Sequence, residues 1–199
     1  WTLVGTDGGK ASALIGEDGA IEVAKGGFSV EPFVVADDRR LSWADVQATQ
    51  SLEDGYLPLP HVDWTGQGWR LDTALFADRG SQRPMARWRL TNTGTAPRTL
   101  TLLLAVRPFQ VNGPAQFLSQ QGGVSPISGV RWTGEHMVVT TPPAIAGDPA
   151  VTRTVRPVVS PTAIGTAPFD QGALAVPVRP NGVASLSDRT GLGSATMAW

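Results

Sequence analysis

Glu53, Asp54, His61, Asp63, Trp64, Gln67, Trp69 and Arg70 fall within one short stretch, EDGYLPLPHVDWTGQGWR, and these are side chains from which a sugar site is built. Two carboxyl groups held about 5 to 10 Å apart across a glycosidic bond can divide the work of cleavage, provided the surroundings keep one of them protonated. Glu53 and Asp54 are adjacent and Asp63 follows closely. The preferred reading is plainer: Asp54-Gly55 is turn chemistry and Glu53 a solvated loop charge. Tryptophan adds a second kind of chemistry, because the CH face of a sugar can lie on the indole while its hydroxyls reach polar neighbours. Trp64 and Trp69, with His61, Asp63, Gln67 and Arg70, supply the mixture that a carbohydrate subsite uses. Trp69 and Trp88 also sit in clean strand alternation, which favours the core for both, whereas for Trp64 the two roles stand level. Arg87 and Arg89 face one way along a strand and either line a polar groove or form a solvated sheet face.

Several chemistries are excluded or not indicated. His61 and His136 are the only histidines, and neither stands beside a second ligand at zinc-motif spacing, so no metal or other cofactor is expected. Cysteine is absent, which removes disulfides, thiolate metal sites and cysteine nucleophiles. No GxxxxGK[ST], strand-following GxGxxG or GxSxG occurs, so phosphate cradles and the nucleophile elbow lack their backbone. A formal net charge of -1 gives no basic field for nucleic acid or an anionic membrane surface. No run approaches the roughly 20 apolar residues of a membrane helix.

The elements that must position these residues are strands. At 199 residues, with 41% hydrophobic and 17% charged residues, 23 glycines and 16 prolines, the chain reads as a single turn-rich β-sandwich domain over residues 1–199. It begins at Trp1 and reads as excised from a longer parent. TLVG, KASALIG, AIEVA and FSVEPFVV are short strands separated by turn signals such as Glu17-Asp18-Gly19 and Lys25-Gly26-Gly27. Residues 41–52 carry two signals, a Ser42/Asp45 capping box and a strand alternation, of which strand is preferred. Residues 53–68 read as loop, broken by Asp54-Gly55, Pro58, Pro60, Gly66 and Gly68. Trp69 to Ala77 is a strand, and PMARWRLTNTGTAPRTLTLLLAVRPFQ reads as the central hairpin. Its first arm has Ala86, Trp88 and Leu90 on the dry face; its second arm is apolar on both sides and ends at Pro108. Val111 to Pro126 reads as a long excursion. Val130–Trp132 and Met137–Val139 flank Gly134 as a further hairpin, and the runs after Pro142 are short, proline-broken edges.

The runs LIGEDGAIEV, LSWADVQATQSLEDGYLPLP and ARWRLTNTGTAPRTLTLLLAVRPFQVN resemble the β-supersandwich domains that precede (α/α)6 toroid catalytic domains in bacterial glycoside hydrolases and phosphorylases. Glycogen-debranching-like and cellobiose-phosphorylase-like proteins are the nearest comparison. The resemblance covers roughly residues 11–112 and implies two packed antiparallel sheets of the galactose-mutarotase-like fold. It implies a non-catalytic accessory domain that packs on a toroid partner and lends a loop to its rim, with an oligosaccharide or polysaccharide as ligand. A parent with a discoidin-like module would favour an extracytoplasmic location. The chain is shorter than the usual supersandwich, and the histidine and glutamate pair of the mutarotases has no residue-by-residue counterpart. Two alternatives stand beside this reading: an aldose epimerase or lyase using His61 or His136 with a carboxylate, and a stand-alone β-sandwich adhesion module.

Overall fold

The alternating runs at the start of the chain become β1 (Thr2–Gly5), β2 (Ser12–Ile15), β3 (Ile21–Val23) and β4 (Ser29–Ala36), followed by the short β5 (Arg39–Leu41). They join β10 (Leu100–Arg107), β14 (Ala163–Pro168) and β15 (Gly193–Ala198) in an antiparallel sheet ordered β1-β2-β3-β4-β10-β15-β14, with β5 paired to β4. A four-stranded sheet contains β6 (Gln47–Leu52), β7 (Pro60–Gly66), β8 (Trp69–Asp78) and β9 (Arg83–Asn92) in sequence order. A three-stranded sheet contains β11 (Gly129–Trp132), β12 (Met137–Thr141) and β13 (Val151–Val155). This computed structural model describes residues 1–111, 125–143, 147–168 and 193–198. The chain is an all-β, sandwich-like fold of packed antiparallel sheets.

Two cores lie side by side on one face of the large sheet. Val4, Ala13, Ile15, Ile21, Val34 and Ala36 pack against Val62, Trp64, Trp69, Leu71 and Leu75 of the four-stranded sheet. Phe28, Val30, Leu104 and Val106 pack against Ile127, Met137 and Val139. Trp88 and Leu102 touch both clusters and fill the seam. The expected burial of the second half of β10 on both faces holds, since Leu104, Ala105, Val106 and Arg107 are all buried. On the face away from the two small sheets, Ala105 and Leu103 pack with Phe33 of β4.

The central hairpin is the main correction. β9 pairs with β8, whereas every residue of β10 pairs with β4, Leu100 opposite Ala36 through to Arg107 opposite Ser29. The turn between them carries the chain from one sheet to another. Its residues hold it to the β7–β8 turn instead, Thr93 and Gly94 donating their amides to the Gly68 carbonyl at 2.9 and 3.2 Å, while Asn92 Nδ2 closes the connection on itself by donating to Ala96 O at 2.8 Å. The segment expected as loop over 53–68 also holds a strand of seven residues. Only Glu53–Gly55 forms a 3-10 turn, and Pro60–Gly66 is β7. Pro60 opens that strand, where a missing amide hydrogen is tolerated, and Gly66 leaves room for the Trp69 ring, which a Cβ would strike.

Both signals in residues 41–52 are real and successive. Ser42 and Asp45 form the capping box of a 3-10 turn over Trp43–Asp45, and Gln47–Leu52 is β6. The hairpin around Gly134 is present as β11–β12; of the runs after Pro142 expected as edges, β13 and β14 end their sheets, whereas β15 lies between β10 and β14. Most of the excursion after Val111 lies outside the described residues.

Trp64 is 1% exposed and its indole N–H donates to the Asp18 carbonyl at 3.1 Å. Trp64→Ala is therefore expected to cost about 3–5 kcal/mol of stability in urea unfolding, while a loss below about 1 kcal/mol would return the ring to the surface. Thr73 is fully buried opposite Trp88, and its hydroxyl has no hydrogen-bond partner among the described residues. Thr73→Val should be neutral or stabilising by up to about 1 kcal/mol, because it removes an unpaired buried hydroxyl at constant shape. A clear loss in the same assay would mean that the hydroxyl is satisfied.

Candidate functional site

Alternation along β6–β9 sends Val62, Trp64, Trp69, Leu71, Trp88 and Leu90 inward and leaves the opposite residues on the outer face. The register sets these in rows. Ser51 lies opposite His61, which lies opposite Ala74, which lies opposite Arg87. The next row runs Thr49, Asp63, Asp72, Arg89. Asp63 and Asp72 are thus direct neighbours of like charge, an arrangement that costs stability unless cations compensate.

The compensation is explicit. Arg70 grips Asp63 Oδ1 at 2.7 Å, and Arg87 Nη2 donates to Asp72 Oδ1 at 3.1 Å. His61 stands between two carboxylates, with Nδ1 2.8 Å from Asp72 Oδ2 and Nε2 2.6 Å from Glu53 Oε2. Burial alone would lower the His61 pKa, but hydrogen bonds to Asp72 and Glu53, and their charges, outweigh it and raise the pKa above 6.5. Asp72 shows the mirror case. Burial pushes its pKa up, yet the hydrogen bonds from His61 and Arg87 bring it below 3.8.

An imidazolium donating through both nitrogens has no lone pair to offer, so His61 in this state is a strut rather than a general base. It ties the Glu53–Gly55 turn to β7 and β8. Beside it, a depression of about 230 Å³ opens between the two sheets, with Trp1, Thr2 and Ile15 on one side and Gln50, Leu52 and His61 on the other. Trp1 is 51% exposed there, and Tyr56, just beyond the turn, is 74% exposed.

The sequence-derived candidates separate accordingly. Glu53 and His61 are joined directly, and Asp63 is in the adjoining row. Asp54 is an exposed turn residue with φ of 52°. Gln67 is exposed at the far end of β7, where its carbonyl accepts from Arg98 Nη1 at 2.5 Å. Trp64 and Trp69 are both 1% exposed on the inner face, so neither ring is open to a sugar. Asp72 was not among the expected site residues, and Arg87 was read only as lining a polar groove or a solvated sheet face. Their strand alternation was readable, but taking 53–68 as loop hid the strand that aligns them with His61. His136 lies in the β11–β12 hairpin and, among the described residues, pairs with no carboxylate. Among those residues no group of three or more histidine and acidic side chains could hold a metal ion.

The His61 pKa is raised on folding, so its contribution is complete below the ordinary value of 6.5 and is lost as pH rises through the folded value. Asp72, whose pKa is lowered, contributes above 3.8 and fades as pH falls through its folded value. Urea unfolding across pH should thus show a loss of stability as pH rises above 6.5 that His61→Gln removes. An unchanged profile in the variant would detach the imidazole from that loss. No protein-family model, curated protein or solved structure matches the chain, so the meaning of this face rests on its own chemistry.

Proposed function

We propose that this chain is a non-catalytic, carbohydrate-associated accessory β-sandwich of supersandwich type, belonging to a larger glycoside hydrolase or phosphorylase. The observation that carries this reading is the outer face of the four-stranded sheet. It is an array of hydroxyl, carboxylate and guanidinium groups set in rows by the strand register, and Ser51 and His61 of that array also line a depression beside the exposed Trp1 ring. Sugars are recognised by that combination, with an aromatic face for the CH groups and prepositioned polar groups for the hydroxyls. The engagement of both His61 nitrogens favours binding over epimerase or lyase chemistry. Exposed Leu3 on β1 and Val158 between β13 and β14 offer apolar surface to a helical-toroid partner.

Titration of the chain against a panel of neutral and charged oligosaccharides, followed by tryptophan fluorescence and calorimetry, tests the proposal. Saturable binding is expected, weakened by Trp1→Ala while the circular dichroism stays unchanged. Silence across the panel would remove the sugar reading and leave a scaffold or adhesion module.

A further inference from the structure

The outer face is electrically graded from one strand to the next. β6 presents Gln47, Thr49 and Ser51, which carry no charge, and the two inner strands carry both acids and bases, with Asp78 of β8 directly opposite Arg83. β9, at the edge of the sheet, presents Arg83, Arg87 and Arg89 on the same face by alternation. Arg87 is paired to Asp72. Every carboxylate in the two central rows is already matched, Asp63 by Arg70 and Asp72 by both His61 and Arg87. Arg89 ends the row of Thr49, Asp63 and Asp72, is exposed, and has no ion pair among the described residues.

A row of hydroxyl partners ending in an unpaired guanidinium fits a ligand that carries hydroxyls along its length and a carboxylate at a set position. The planar fork of arginine suits a carboxylate, which it can grip with two parallel hydrogen bonds. We propose that this face binds a carboxylate-bearing sugar chain, a polyuronate, laid across the strands with hydroxyls toward Thr49 and Ser51 and a carboxylate on Arg89. The proposal rests on the carbohydrate reading above and narrows its ligand class.

Arg83 provides an internal control, since it lies on the same strand and face, opposite Asp78 but without an ion pair among the described residues, six residues away or about 20 Å at strand spacing. The test is calorimetry of the 199-residue chain with trigalacturonate, with its fully methyl-esterified form, and with polyglutamate. The acid should bind at least about tenfold more tightly than the ester, Arg89→Gln should abolish that difference, and Arg83→Gln should leave it intact. Equal affinity for acid and ester would overturn the inference while leaving the sugar reading in place. Equal losses in both variants, or polyglutamate binding with the same dependence on Arg89, would overturn it in favour of diffuse cationic attraction or an acidic protein partner. Unchanged trigalacturonate binding with aggregation of Arg89→Gln would mean that the arginine only guards the open edge of β9. Failure of acid, ester and the neutral panel together would instead remove the carbohydrate reading itself.

Discussion

The inner face of the eight-stranded sheet has to be covered along its whole width, and two smaller sheets do this together. Trp88 and Leu102 sit where the two clusters meet, so one indole closes the gap that neither small sheet fills alone. Packing at interior density leaves few alternatives to such a bridging side chain. The same demand fixes the path of the backbone. β9 must stay with β8 to deliver Trp88, and β10 must leave for β4 to deliver Leu102 and Leu104. The connection after Asn92 is therefore a passage between layers, built from residues that would equally suit a hairpin.

Local chemistry was legible in the sequence wherever it decided the outcome. The Asp18-Gly19 turn, the Ser42/Asp45 capping box, the dry face of β9 and the doubly buried end of β10 all depend on neighbours within a few residues or on apolar content. Pairing across the chain was not legible. Nothing near Leu100 states that its partner is Ala36 rather than a residue of β9, because strand partnership is settled by which faces need covering. Residues 53–68 misled for a related reason. Pro60 and Gly66 read as breakers, yet one opens a strand and the other makes room for Trp69. Trp64 then lands on the inner face by alternation, and a ring whose two roles stand level in the sequence becomes core.

The candidate site follows from that missed strand. Once β7 aligns with β8, Asp63 falls beside Asp72, and the sheet tolerates the pair only because Arg70, Arg87 and His61 surround it. The imidazolium is stabilised by what it holds apart, and its position between Glu53 and Asp72 also anchors the turn at the mouth of the depression. Side chains locked in this way lose less freedom when a ligand arrives, which is the physical advantage of a preorganised polar face.

The two outer faces of the sandwich differ in a way that bears on function. On the large sheet, Glu31 and Arg107 are buried as an ion pair at 2.7 Å, with Ser29 donating to Glu31 and the guanidinium over the Phe109 ring. Glu22 is buried beside them and accepts the amides of Gly26 and Val111 at 2.6 and 2.7 Å. Buried charges of this kind are expensive unless every partner is in place, and here the partners are backbone and side chains of the fold itself. That face spends its polar groups on holding the chain together. On the four-stranded sheet the acids and bases remain at the surface, balanced except at β9, so their hydrogen-bonding capacity stays available to another molecule. The proposed sugar site therefore falls on the face whose polar groups are ordered but not enclosed.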